Sequence, residues 1–154
     1  MKNYILTAFV MVFGVLAMLG SASNQSVNPP SAASTDFTFE NTTTKAVVDQ
    51  LVSLNMSNGL TVTNATDYMV IAQGLDRSMG AMMLYGSKYD RVPALRLTYN
   101  IGNLGDGRVR VIGKANMITN PGSAHEQSSD FTSEMSGHIN GQLMTIRNQL
   151  QTKS

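Results

Sequence analysis

The chain has 154 residues, with 11 basic and 10 acidic side chains and no cysteine. That length accommodates one domain after processing. The missing cysteine excludes disulfides, thiolate-held metals and lipidation of the bacterial lipoprotein kind, which needs a cysteine directly after the leader. The near-balanced charge argues against broad binding to nucleic acid or an acidic membrane, both of which favour a basic excess.

The chain opens Met1-Lys2-Asn3-Tyr4 and continues in an uncharged, largely apolar run from Ile5 to Leu19. Lys2 supplies a positive start, the run is short for a ~20-residue membrane span, and Gly20-Ser21-Ala22-Ser23 suits a signal peptidase. The pattern predicts a cleavable secretory signal over residues 1–22, with cleavage after Ala22 or Ser23. The alternative is an uncleaved N-terminal anchor. Cleavage implies a periplasmic or secreted protein with no membrane span, and removes Lys2, leaving ten basic and ten acidic side chains. Residues 23–35 are small and polar around Pro29-Pro30, a composition that buries too little apolar area to order itself, and are expected to form a flexible linker. A single domain is expected over residues 36–154.

Phe37-Thr38-Phe39 alternates as a short strand. Thr42-Thr43-Thr44 offers caps for a helix in which Val47, Val48, Leu51 and Leu54 or Asn55 follow at helical spacing, with Val47, Leu51 and Leu54 on one face, and Asn58-Gly59 stops it. Leu60-Thr61-Val62-Thr63 alternates as a strand, residues 64–67 read as a turn, and Tyr68 to Ala72 as the next strand. Gly74 to Gly80 reads as a connection. Ala81-Met82-Met83-Leu84-Tyr85 reads as a strand by length and flanks, with a helix as the alternative.

The strongest β pattern follows. Leu95, Leu97, Tyr99 and Ile101 alternate with Arg96, Thr98 and Asn100, and after the glycine-rich turn 102–107 Val109, Val111, Ala115 and Met117 alternate with Arg108, Arg110, Lys114 and Asn116. Two such runs predict a hairpin with one apolar and one polar face. Ser128 or Ser129 then caps a final helix with Asp130 in its first turn, whose stripe is Phe131, Met135, Ile139, Leu143, Ile146 and Leu150. Gly137 and Gly141 lie off the stripe, each costing about 1 kcal/mol in a helix interior. They are read as imperfections of the helix and not as a close approach. The element order predicts an α+β, two-layer sandwich: an antiparallel meander of four or five strands with two helices packed on one face.

No catalytic constellation emerges. His125-Glu126 has the start of a zinc-protease motif, but Ser129 stands where the second histidine belongs. His125 and His138, 13 residues apart without cysteine, make a poor metal site. No Gly-x-Ser-x-Gly elbow occurs, and neither Gly102–Gly107 nor Gly74–Gly80 has a nucleotide-binding pattern. The sequence therefore points to no enzyme, metal or cofactor. Of the eight methionines beyond the leader, Met69, Met117 and Met135 fall on expected core positions, and Met79, Met82 and Met83 are the set expected to be exposed or to line a groove. Four Asn-x-Ser/Thr sequons, at Asn24, Asn41, Asn55 and Asn64, matter only in a glycosylating host.

Arg96, Arg108, Arg110 and Lys114 share the outer face of the expected hairpin and are the candidate partner-binding residues. The element order resembles that of small bacterial envelope lipoproteins that serve as accessory parts of secretion or outer-membrane assembly machines, although this chain lacks their lipidated cysteine. The expectation is an exported, non-enzymatic binding or assembly module of the bacterial cell envelope that meets a protein partner through the polar sheet face or the Gly74–Tyr89 region. Two alternatives stand beside it: a small carrier of apolar ligands at the helix–sheet interface, and an enzyme of unrecognised type.

Overall fold

A computed structural model describes residues 35–86 and 92–152. The expected signal peptide and all of the expected linker except Thr35 lie outside the described residues. Strand β1 (Asp36–Phe39) leads into helix α1 (Thr44–Ser57), then β2 (Thr61–Thr66), β3 (Met69–Leu75), helix α2 (Met79–Tyr85), β4 (Ala94–Gly105), β5 (Arg108–Thr119), β6 (Gln127–Asp130) and helix α3 (Thr132–Gln151).

The sheet is antiparallel, in the order β1-β5-β4-β3-β2, with β6 also paired to β5. Strands β2 to β5 form the expected meander, and α1 and α3 pack on one face of it, giving the α+β sandwich. The β4–β5 hairpin has the expected inner and outer faces, with Leu95 opposite Met117, Leu97 opposite Ala115 and Ile101 opposite Val111 on the helix-facing side, and its strands continue through 102–105 of the expected turn. Its tip turns through Gly105, Asp106 and Gly107, all at positive φ, which glycine adopts without strain.

The outer edge of β5 is closed by two short segments. β1 pairs with residues 109–112 and β6 with 116–119. Between them Gly113 N–H donates to Thr35 O at 2.9 Å, and Thr132 Oγ1 accepts from Ala115 N–H at 3.1 Å. The hydroxyl of Thr35 also donates to Gly113 O at 2.5 Å, and Thr35 is buried. Thr35 thus belongs to the folded unit and not to the spacer.

The core lies between sheet and helices. Phe39, Val47, Leu51, Val70, Leu97, Tyr99, Val109, Val111, Ala115, Ile139, Leu143 and Ile146 are buried there. Gly113 makes the close approach possible: a Cβ at this position would sit 2.4 Å from Ile139 Cγ2. Three polar side chains enter the same interior. Tyr99 donates its hydroxyl to Gln142 Oε1 from α3, and Asn55 of α1 donates to Leu51 O at 2.7 Å. Burial pushes the Tyr99 phenol well above its ordinary range, with a hydrogen bond from Asn55 acting in the opposite direction.

Four expectations are corrected. Residues 81–85 belong to a helix, because Met79–Tyr85 contains no β-branched residue and Ser78 Oγ accepts from Ala81 N–H at 3.2 Å as an N-cap. Ser128 and Ser129 lie in β6 instead of capping α3, and Asp130 Oδ1 takes the Thr132 N–H at 2.8 Å. The β2–β3 turn is Asp67–Tyr68, so Tyr68 lies outside the strand that it was expected to start. Met69 pairs with Asn100 on the face turned away from α1 and α3, and is half-buried there instead of in the core. Gly137 and Gly141 have open space where a Cβ would stand, so nothing crowds that side of α3.

Candidate functional site

The hairpin register puts Arg96, Arg108, Arg110 and Lys114 on the sheet face opposite α1 and α3, since each alternates with buried helix-facing neighbours. Two of the four are held by carboxylates. Arg96 Nη2 lies 3.1 Å from Glu126 Oε1, and Arg96 Nε donates to Gln73 Oε1 at 3.0 Å. Glu126 comes from the 120–126 segment, which turns back over this face, and it also accepts from Gly122 N–H at 2.8 Å. The Gly122 amide first, then the Arg96 guanidinium, holds the Glu126 carboxyl below its usual range.

Arg110 forks onto Asp36 of β1, with Nε at 2.9 Å from Oδ1 and Nη2 against Oδ2. Hydrogen bonding from Arg110 lowers the Asp36 carboxyl despite some desolvation. A planar guanidinium meeting a carboxylate in this way fixes β1 to β5 as well as cancelling charge. Lys114 lines a shallow cleft of about 360 Å³ with Asp130, Thr132 and Glu134 at the start of α3. Arg108 is exposed beside the hairpin tip. The stripe is real as geometry, but half of it is committed to internal ion pairs, which reduces the field it presents to a partner.

The second expected contact region, Gly74–Tyr89, has a different character. Within the described part of it, Met83 and Leu84 on α2 are 80% and 78% exposed, and Leu75 at the end of β3 is 55% exposed. Ala81 is buried, and Tyr85 meets Phe131 edge-on at 5.8 Å between ring centroids. Those inward contacts hold α2 in place while its outer side stays apolar. Arg77, just before the Ser78 cap, is exposed beside it. The side chain of Met79 lies outside the described residues.

His125 sits in the 120–126 segment and His138 on the exposed side of α3. Among the described residues no three histidine, aspartate or glutamate side chains group so as to hold a metal ion. Among them, too, no helix is long and apolar enough to cross a membrane. The helix–sheet interface, where an apolar-ligand carrier needs space, is filled by Leu51, Leu97, Tyr99, Ile139 and Leu143, each without exposed surface.

Comparison of the chain with protein-family profiles, with curated proteins and with solved structures finds no significant match.

Proposed function

We propose that the chain is an exported, non-enzymatic binding or assembly module of a bacterial cell envelope, and that it meets a protein partner through the outer side of α2. The observation that carries the reading is the exposure of Met83 and Leu84, adjacent apolar side chains each about four-fifths in water on a helix anchored by Ala81 and Tyr85. Single exposed apolar residues are ordinary, but a capped helix that turns two long ones outward costs hydration free energy and is the usual mark of an interaction surface. Arg77 at its start favours a partner whose apolar contact has an acidic rim. The signal-like leader over residues 1–22 supports export. The ion pairs that consume Arg96 and Arg110 make the basic face the lesser contributor.

The test is a photo-cross-linking residue at position 83, with position 144, which is 50% exposed on α3, as control. A discrete adduct from 83, absent from 144 and abolished by Leu84→Glu, supports the reading. Equal adducts from both positions, or none, reject it.

A further inference from the structure

The end of the sheet away from α2 carries a second feature. Three segments converge there around a cleft of about 480 Å³: the β1–α1 loop and the start of α1 with Thr42–Lys45, the β2–β3 turn with Asp67 and Tyr68, and the hairpin tip with Asn103 and Asp106. The buried side chain of Val109 forms part of the lining. The volume falls in the ~300–1,000 Å³ range of ligand sites. Its walls are tied by backbone. Thr42 N–H donates to Gly107 O at 2.9 Å and Ile101 N–H to Tyr68 O at 2.8 Å, while Gly105 N–H is held by Asn103 Oδ1 at 2.9 Å. A site built this way needs little ordering on binding.

The chemistry of the lining selects a ligand class. Asp67 and Asp106 make no hydrogen bond or ion pair among the described residues, and Asp67 is felt only at a distance by Lys45. Lys45 itself is paired with Asp49 at 2.6 Å. The cleft is therefore net acidic, which opposes a phosphate or other anion despite the start of α1 nearby. Two carboxylates alone fall short of the six to eight oxygens that a calcium ion takes. An apolar ligand would strip water from the Asp67 and Asp106 carboxylates with no cation to replace it. A neutral molecule with many hydroxyls and one apolar face matches both parts of this lining, the polar groups and the carbon surface beside them. Carboxylates accept from such hydroxyls, while the Asn103 amide and threonine hydroxyls both donate and accept. Tyr68, 76% exposed although its backbone is fixed, offers an aromatic face for the C–H side of a sugar ring.

We propose that this cleft binds a neutral saccharide, with Tyr68 as its stacking platform and Asp67, Asn103 and Asp106 as its hydrogen-bonding groups. The inference is independent of the α2 surface, which lies at the other end of the strands. Isotope-labelled protein, purified in the form the cell produces, is titrated by NMR with glucose, galactose, mannose, N-acetylglucosamine, maltose and cellobiose, and separately with inorganic phosphate and calcium. The expected result is that at least one saccharide, at millimolar concentration, shifts the amides of Thr43, Tyr68, Asn103 and Asp106 together. Tyr68→Ala then weakens that saccharide about tenfold or more without changing the melting temperature. The proposal is overturned if no saccharide moves these amides, if phosphate or calcium alone does, or if Tyr68→Ala or Asp106→Ala leaves the affinity unchanged.

Discussion

Replacing Gly113 by alanine adds one methyl group at a crowded point of the helix–sheet interface. Its Cβ would stand 2.4 Å from Ile139 Cγ2 and 3.7 Å from Ile139 Cβ. Ile139 is fully buried and β-branched, so its methyl cannot swing aside, and α3 or β5 must shift. Overpacking of this kind costs about 1–3 kcal/mol. Gly137→Ala on the open side of the same helix meets nothing within 4 Å and is expected to gain about 0.5–1 kcal/mol from propensity alone. The two substitutions are chemically identical and differ in sign. Urea denaturation measures both, with an unchanged m-value showing that only stability has moved. Ile139→Ala alone costs about 2–5 kcal/mol. Combined with Gly113→Ala it should cost less than the sum, because the clash has been removed. A neutral Gly113→Ala, or strict additivity with Ile139→Ala, would refute this description of the packing.

Three further outcomes follow from polar groups and from α2. Asp36 has its carboxyl lowered mainly by the Arg110 hydrogen bond, so its contribution is complete above the ordinary aspartate value of 3.8 and fades as pH falls through the lowered one. The stability gap between wild type and Asp36→Asn should therefore close on acidification below about pH 4, as urea midpoints at several pH values will show. A gap that stays constant with pH contradicts the ion pair. Tyr99→Phe takes the donor from Gln142 Oε1, on a side chain whose Nε2 already has no partner in the core, and should cost about 1–3 kcal/mol. Because burial raises the Tyr99 phenol, its stabilising effect holds below the ordinary value of 10.0 and is lost as pH climbs beyond it. Phenolate absorbance should report Tyr99 ionising only with alkaline unfolding. Met83→Ser and Leu84→Ser, at largely exposed positions, should change stability by no more than about 0.5 kcal/mol.

The hairpin was legible because its period-two alternation runs through twelve-residue strands with one buried face. Helix α3 was legible for the same reason at a period of 3.6 residues. What escaped had no such signature. β6, Gln-Ser-Ser-Asp, is exposed along its whole length and owes its existence to backbone pairing with β5, so no side-chain pattern announces it. α2 is seven residues of mostly apolar side chains, too short for periodicity to separate helix from strand, and the Ser78 cap decides it. Gln142 was hidden, and Asn55 stood only as the alternative to Leu54 in the spacing of α1, because polar side chains on helices normally mark the wet side. Here Tyr99 gives Gln142 a partner inside, and Asn55 turns to its own helix backbone. The four basic residues were correctly assigned to one face, but Glu126 and Asp36 reach Arg96 and Arg110 from 30 and 74 residues away, which no local reading detects. The cleft beside Tyr68 escaped likewise, since it is assembled from three separate segments.

The most direct test of partner binding through α2 is an affinity measurement by calorimetry with the protein captured by cross-linking at position 83. Truncating a central apolar contact typically costs 2 kcal/mol or more, about 30-fold in affinity. The Met83→Ser, Leu84→Ser double variant should lose at least that factor, and the wild-type complex should form with a negative heat-capacity change from buried apolar surface. An affinity that the double variant leaves intact, or that instead follows substitution of Arg108 and Lys114, would contradict the assignment of α2 as the contact surface.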